Sequence, residues 1–276
     1  MRSRVDLHVH TTASDGQFSP SEVVCKALDL GLTVLAITDH DTTDGIEEAL
    51  QAAQGTGLEV IPGVEISTDI PGSEAHVLGY YVNHADPRLT HKLELFRDSR
   101  VRRAQGMVTK LAAMGLPLDW KRVRQIAGGG ALGRPHIAQA MLEMGYVSST
   151  NEAFSLYIGR NSPGYVERCK MTPSEAVQVI LDAHGLPVLA HPLSVSGLVP
   201  ELARKGLVGL EAYYTGYSAD ETRFLVELAA KHALLLTGGS DFHGERVQPQ
   251  NGLGGVMVPP EVVEELRARH RCLQPA

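Results

Sequence analysis

Histidine and carboxylate residues recur at short spacing along this chain, and together they could bind divalent metal ions. His8 and His10 are two residues apart in a short apolar run, so both side chains would lie on the same face of a strand. Imidazole nitrogens combined with carboxylates suit Zn, Mn or Fe, whereas the three cysteines are too widely spaced for a thiolate site. The predicted metal ligands are His8, His10, Asp15, His40, Glu65, His76, His191, Asp241 and His243.

Most of these residues lie where predicted strands end. Thr38-Asp39-His40-Asp41, Ala190-His191-Pro192 and Ser240-Asp241-Phe242-His243 each follow or close a short apolar run. Because the carboxyl ends of parallel strands share one face of a barrel, these side chains should converge there. Such a cluster of charged groups needs a compensating charge, which divalent metals supply. Metals bound in such a cluster could activate a water molecule, so the residues predict metal-assisted hydrolysis.

The elements that would position these residues follow an alternating strand and helix pattern. The chain has 276 residues, near the roughly 250 of an α/β barrel, and 43% of them are hydrophobic. Capping boxes at Ser19-Pro20-Ser21-Glu22 and Thr172-Pro173-Ser174-Glu175 predict two helix starts. The β-branched runs that predict buried parallel strands are 5–9, 34–38, 59–61, 76–81, 187–190, 209–212, 234–237 and 256–258.

A segment in the middle of the chain breaks this pattern. In residues 87–164 the pattern predicts helices at 87–114, 119–126, 136–144 and 149–158 and no strand. The barrel is therefore expected to consist of residues 1–86 and 165–276. Residues 87–164 are expected to form a helical insertion that caps the substrate. Residues 99–165 contain nine basic and three acidic residues, a charge of +6, so the rest must carry −13 to give the overall −7. The insertion is therefore expected to recognise an anionic part of the substrate.

Four residues of the insertion are the predicted substrate contacts. Gly133-Arg134-Pro135-His136 stands at a predicted helix start, where backbone N–H groups favour phosphate, and Arg binds phosphate bidentately. Arg160 and Asn161 follow Gly159 at the exit of the insertion. The predicted substrate-binding residues are Arg134, His136, Arg160 and Asn161. The other basic residues, expected on solvated helix faces, are Arg100, Arg102, Arg103, Lys121, Arg122 and Arg124.

The motifs resemble those of a known family. Asp6-Leu7-His8-Val9-His10-Thr11, with the three strand-end motifs above, is similar to the four motifs of the PHP (polymerase and histidinol phosphatase) family. This resemblance implies a distorted (β/α)7 barrel with up to three metals at the carboxyl ends of its strands. The implied ligands are His8, His10, Glu65 and Asp241 for the first metal, Glu65, His76 and His191 for the second, and Asp15, His40 and His243 for the third.

Two positions qualify what the family implies. Several relatives have His where this chain has Asp15, and because a carboxylate is a harder ligand, the expected third metal shifts from zinc toward manganese. Asp39 is expected to orient a metal ligand without itself binding metal, or alternatively to cap a helix after its strand.

The Gly-Arg-Pro-His loop and the insertion resemble a narrower group within the family, the bacterial 3′,5′-nucleoside bisphosphate phosphatases and their 5′–3′ exoribonuclease relatives. The resemblance implies removal of the 3′-phosphate from a nucleoside 3′,5′-bisphosphate by a metal-activated water. The alternative is exonucleolytic cleavage of short 5′-phosphorylated RNA, in which water cleaves the bond to the next nucleotide. Two further alternatives are a histidinol phosphatase, whose small substrate would not use a basic insertion, and an inactive regulatory module.

Location and partners follow from what the sequence does not contain. There is no apolar N-terminal leader, and no run approaches the roughly 18 apolar residues that span a membrane. The protein is expected in the cytoplasm, with no membrane association and no obligate protein partner. Its expected partner is a nucleotide or a short 5′-phosphorylated oligonucleotide.

Overall fold

The computed structural model describes residues 4–71, 73–127, 132–167 and 171–273, and its central feature is a seven-stranded sheet. The strands pair in chain order, and β1 approaches β7 where Leu7 N–H donates to Gly238 O at 3.2 Å and Val9 pairs with Phe242. The sheet is therefore a nearly closed barrel, as predicted. The strands are β1 (Val5–Asp6), β2 (Val34–Ile37), β3 (Glu59–Ile70), β4 (Ser73–Tyr80), β5 (Leu186–Leu189), β6 (Gly209–Tyr214) and β7 (Leu235–Gly239).

Strand β4 runs against its neighbours, so the prediction that all strands are parallel is wrong. It pairs antiparallel with both β3 and β5, while the other pairs are parallel. Only two residues separate β3 from β4, which is too short for a crossover connection. The reversal places His76 opposite Ser67, near the carboxyl end of β3. His76 therefore reaches the expected end of the barrel from within a strand.

The predicted strand at 256–258 is also wrong. These residues form no strand in the structure, and Pro259 and Pro260, which lack N–H donors for a sheet, follow directly. Val258 is nevertheless buried in the barrel core beside Val262 and Leu266. Its apolar neighbourhood therefore reflects packing rather than strand pairing.

The helices begin where the capping residues predict. Ser19 Oγ accepts from Glu22 N–H at 3.3 Å while the Glu22 carboxylate accepts from Ser19 N–H at 2.8 Å, and Thr172 and Glu175 form the same box. The helices are α1 (Pro20–Asp29), α2 (Ile46–Ala53), α3 (Pro87–Ala113), α4 (Trp120–Ala127), α5 (Arg134–Glu143), α6 (Thr150–Ala153), α7 (Pro173–Asp182), α8 (Val199–Arg204), α9 (Ala219–Lys231) and α10 (Glu261–Leu273). A 3-10 helix, Pro192–Leu198, precedes α8.

The chain divides into two compact units. One is formed by Met1–Lys92 with Met171–Ala276, and the other by Leu93–Lys170. The second unit contains no strand among its described residues and has its own apolar core, in which Met107, Leu111 and Ile137 are fully buried. The helix predicted at 149–158 is α6 followed by a π-helix, Phe154–Ile158. The division falls a few residues from the predicted boundaries at 87 and 164, and the role of the insertion stays a prediction.

None of the described helices is long and apolar enough to cross a membrane.

Gly239 allows β7 to approach β1 closely. A Cβ added there would collide with the backbone nitrogen and Cβ of His8. We expect Gly239→Ala to lower the free energy of unfolding by about 1–3 kcal/mol, the usual cost of overpacking. Thermal and denaturant unfolding would measure this loss of stability. Gly197→Ala is the control, because an added methyl there meets open space. Equal stability of the two variants would contradict this account of barrel closure.

Candidate metal centre

Glu65, on β3, lies at the centre of a cluster of histidines. Its carboxylate is 1% exposed and approaches nitrogens of five of the predicted ligands. The distances are 3.2 Å to His8 Nε2, 3.2 Å to His10 Nε2, 3.0 Å to His40 Nδ1, 2.9 Å to His76 Nδ1 and 3.2 Å to His191 Nε2. Four separate segments of the chain therefore converge on one carboxylate.

Two aspartates extend the cluster on either side. Asp241 Oδ1 lies 3.3 Å from His8 Nε2 and 3.2 Å from His10 Nε2. Asp15 Oδ1 lies 3.3 Å from His243 Nε2 and 3.8 Å from His10 Nδ1. The structure thus brings all nine predicted ligand side chains into one continuous cluster.

The cluster contains overlapping groups that differ in two respects from the predicted sets. His10 joins the group predicted for the third metal, and His40 lies with Glu65 and His76 in the second. His191 reaches this group through its 3.2 Å contact with Glu65. Among the described residues, the groups whose ligand atoms lie within 4.8 Å of one another are His10, Asp15, His40 and His243; His8, His10, Glu65 and Asp241; and His40, Glu65 and His76.

Two of these residues have unusual backbone conformations. His191, just after β5, has φ 29°, and Asp241, just after β7, has φ 54°. L-residues other than glycine rarely adopt positive φ, and such strain tends to occur at functional sites. The chain therefore turns sharply at both strand ends, where each side chain contacts the cluster.

Electrostatic interactions shift the pKa values of the cluster strongly. Burial opposes the protonation of His8, but the surrounding carboxylates, Glu211 foremost, raise its pKa well above the ordinary value. Carboxylates also overcome burial at His10 and raise its pKa to about 10. At His40 burial prevails and lowers the pKa to about 3. Burial disfavours ionised Glu65, yet the neighbouring imidazoles hold its pKa well below the usual range.

The chemistry of these atoms fits divalent cations. Five buried polar atoms of the cluster make no hydrogen bond within the described part of the chain: His8 Nε2, His10 Nε2, Asp15 Oδ1, His40 Nδ1 and Glu65 Oε2. Leaving a buried polar atom unsatisfied costs about 1–3 kcal/mol. Each of these atoms carries a lone pair that a cation can accept, in competition with the protons that the imidazoles otherwise bind.

Asp39 supports the loop that follows His10. Its carboxylate accepts from Thr11 N–H at 2.7 Å, Thr11 Oγ at 2.8 Å and Ser14 Oγ at 2.6 Å. Ser14 Oγ in turn lies 3.5 Å from His10 Nδ1. Since the next helix, α2, has Gly45 as its N-cap, Asp39 does not cap a helix, and that alternative is wrong. Its influence on a ligand is indirect, through the loop.

Two polar residues on β6 that contact the cluster were not predicted from the sequence. Glu211 is fully buried and lies 2.8 Å from His8 Nδ1, and Tyr214 OH donates to Asp241 Oδ2 at 2.8 Å. A carboxylate within an apolar strand was the available signal for Glu211, because burying an unpaired charge is costly. For Tyr214 no such signal exists, since tyrosine is common in strands.

Within the insertion unit, the predicted substrate contacts lie on two segments. Arg134 is the first residue of α5, and its guanidinium lies 5.5 Å from the ring centroid of Phe154 in the π-helix. His136 Nδ1 accepts from Gly133 N–H at 3.0 Å, which places the proton of a neutral ring on Nε2. The π-helix leads into Arg160, which is half-buried, and Asn161, which is exposed with φ 69°.

The other basic residues of the insertion are not uniformly solvated. Arg122 is exposed and forms a bidentate pair with Glu143 at 2.8 and 2.9 Å. Arg103 is 9% exposed, and its Nε donates to Val166 O at 2.9 Å, so the prediction that it lies on a solvated face is wrong. Part of the positive charge of this unit is therefore structural.

Comparison with known proteins assigns the family. The model of the PHP domain matches residues 6–172, more than half of the chain and including most of the cluster. The chain belongs to the PHP family. The predicted family and barrel fold are thereby confirmed.

Several proteins with named activities are similar to this chain over most of its length. A 5′-3′ exoribonuclease of Haemophilus influenzae is 35% identical over 88% of this chain and 91% of its own length. A 3′,5′-nucleoside bisphosphate phosphatase of Chromobacterium violaceum is 31% identical over 87% of each. A Bifidobacterium adolescentis structure described as a metal-dependent phosphoesterase has a TM-score of 0.84 and 32% identity over 96% of each chain. This PHP protein is a phosphoesterase, a hydrolase acting on phosphoric esters, as predicted.

Proposed function

We propose that the chain removes the 3′-phosphate of nucleoside 3′,5′-bisphosphates, with a metal-activated water as the nucleophile. The observation that carries this proposal is the cluster of nine ligand-type side chains, Glu65 at its centre, in which five buried atoms lack a hydrogen-bond partner within the described residues. A PHP relative that covers most of this chain is named for this reaction.

The proposed ligands are the nine predicted residues, and the proposed cofactor is two or three divalent metals, with Mn favoured over Zn or Fe. No described residue of the cluster is a cysteine, and this together with the carboxylate of Asp15 supports an oxygen-preferring metal. Cations bound there would lower the pKa of a coordinated water and neutralise charge on the phosphoryl group. Glu65 belongs to two of the ligand groups, so its carboxylate would help to hold more than one cation. Asp39 fixes the loop that carries Asp15.

Four residues of the insertion are proposed to bind the second phosphate of the substrate. Arg134 and His136 stand in the first turn of α5, where backbone N–H groups also favour an anion. With Nδ1 accepting from Gly133, neutral His136 presents a donor at Nε2. Arg160 and Asn161, after the π-helix, complete the proposed set, and Asn161 is exposed.

Arg134→Ala is expected to weaken substrate binding and to leave the turnover rate nearly unchanged. Loss of a charge-assisted hydrogen bond, worth about 1.5–3 kcal/mol, should raise KM for a 3′,5′-bisphosphate about ten- to a hundredfold with kcat nearly unchanged. Arg122→Ala is the matched control, because Arg122 belongs to the same unit but pairs with Glu143. Equal effects of the two substitutions would remove the role given to Arg134.

The alternative activity is 5′–3′ exonucleolytic cleavage of short 5′-phosphorylated RNA, for which the Haemophilus influenzae relative is named. Both reactions break the bond between phosphorus and the 3′ oxygen of a nucleotide that carries a 5′-phosphate. They differ in whether that phosphorus also bears the next nucleoside. The same ligand cluster and phosphate-binding residues would therefore serve either reaction.

Rates on matched substrates test the proposal. With Mn, we expect the purified protein to release phosphate from a nucleoside 3′,5′-bisphosphate far faster than from the corresponding 3′-monophosphate. Equal rates on these two compounds would contradict the role of the second phosphate. A 5′-phosphorylated dinucleotide cleaved faster than the bisphosphate would favour the exonuclease instead.

A further inference from the structure

Strand β6 differs from the other strands of the barrel in what it contributes to the cluster. Each of the other six strands contains, or is followed within a few residues by, a proposed metal ligand, whereas Gly209–Tyr214 contains none and none follows it before α9. It carries instead Glu211 and Tyr214, whose polar atoms contact ligands on three other strands.

Glu211 holds two ligands at once. Its Oε1 lies 2.8 Å from His8 Nδ1, and its Oε2 accepts from the backbone N–H of His191 at 2.7 Å. A carboxylate can only accept, so Nδ1 of His8 carries a proton, and Nε2 is the nitrogen that could bind a cation in place of its own proton. That Nε2 is the atom 3.2 Å from Glu65 and 3.3 Å from Asp241. The second bond holds His191 in its positive-φ conformation.

Tyr214 holds a third ligand. Its hydroxyl donates to Asp241 Oδ2 at 2.8 Å. The other oxygen, Oδ1, is the one that faces the cluster, 3.2 Å from His10 Nε2. The hydroxyl therefore selects which oxygen of Asp241 is available to a cation.

An irregularity in β6 allows both side chains to serve the same cluster. Residues three apart on a regular strand point to opposite faces. The pairing of β6 with β7 shifts register between Glu211 and Tyr213. Such bulges redirect side chains next to active sites, and here Glu211 and Tyr214 both bond to cluster residues.

We propose that Glu211 and Tyr214 are positioning residues that hold the metal ligands His8, His191 and Asp241, which follow β1, β5 and β7, in place for metal binding. This inference rests on the proposed ligand set and adds two residues that the ligand set does not contain. Carboxylate partners of this kind fix the ring orientation and the tautomer of a ligating histidine.

Glu211→Gln keeps the shape of the side chain and breaks this arrangement in either orientation of the amide. If the amide oxygen accepts from His191 N–H, the amide NH2 faces His8 Nδ1 and forces the ring proton onto Nε2, toward the cluster. If the amide is reversed, its NH2 faces the His191 N–H, and because both groups are donors, the hydrogen bond to His191 is lost. The first orientation disfavours a cation at His8, and the second disturbs the backbone that positions His191.

Mn binding measured by titration calorimetry on the full chain tests the proposal. We expect about ten- to a hundredfold weaker binding in Glu211→Gln, and about tenfold weaker binding in Tyr214→Phe. Excess Mn should restore much of the lost kcat in both variants, which a merely structural defect would not allow. Tyr213→Phe is the control, because it removes a neighbouring hydroxyl from a ring that packs against the barrel core.

The outcomes separate this inference from the proposed function. A wild-type chain that binds no Mn, Zn or Fe would contradict the proposed function itself. Metal binding by the wild type with unchanged affinity in both variants would overturn only the role of β6. If Glu211→Gln does not fold, unchanged affinity in folded Tyr214→Phe overturns the proposal.

Discussion

Glu65→Gln is expected to abolish turnover. The substitution keeps the volume of the side chain but removes the charge that five histidine nitrogens surround at 2.9–3.2 Å. Losing the metal contribution to a phosphoryl transition state, several kcal/mol, should lower kcat by about a thousandfold or more. His8→Ala and Asp241→Ala should act in the same way. Phosphate release and metal content measured on the same preparation would check all three.

Glu59→Gln is the matched control for Glu65. Glu59 begins the same strand, but its carboxylate pairs with Arg267 of α10 rather than with the cluster. We expect this variant to keep wild-type turnover and metal content. A Glu65→Gln protein with wild-type values of both would remove Glu65 from the site.

Removal of metal should abolish activity and lower stability without unfolding the chain. A ligand present at a hundred times its Kd stabilises the folded state by about 2.7 kcal/mol. For a chain of this size, chelation should therefore lower the unfolding midpoint by about 5–10 °C, and Mn should restore both midpoint and turnover. Glu65→Gln should show no such Mn-dependent shift, which separates specific binding from a general salt effect. Full activity in the presence of excess chelator would contradict a metal-dependent site.

The barrel could be predicted from the sequence to the extent that local patterns determine it. The apolar runs predicted as strands at 34–38 and 209–212 correspond to β2 and β6 in the structure, and the capping box at Ser19 begins α1 as predicted. The direction of β4 and the length of β3 depend on pairing between strands, which periodicity does not report. The apolar run at 256–258 was taken for a strand because burial against a helix and burial in a sheet select the same residues.

The candidate site was more predictable than the fold around it. Ligand residues such as His40 and Asp241 stand out because imidazoles and carboxylates at strand ends are costly unless they have a function. Their partners do not stand out. Glu211 and Tyr214 act through hydrogen bonds to residues far away in sequence, and the bulge that directs Tyr214 is visible only in the pairing of β6 with β7.

The most direct measurement is anomalous X-ray diffraction from crystals of the protein grown with Mn. The proposal predicts two or three anomalous peaks, with neighbouring metals about 3.5–4 Å apart, and with the carboxylate of Glu65 between two of them. Anomalous peaks found only outside the cluster, or none in a crystal of active protein, would contradict the metal centre on which the proposed function rests.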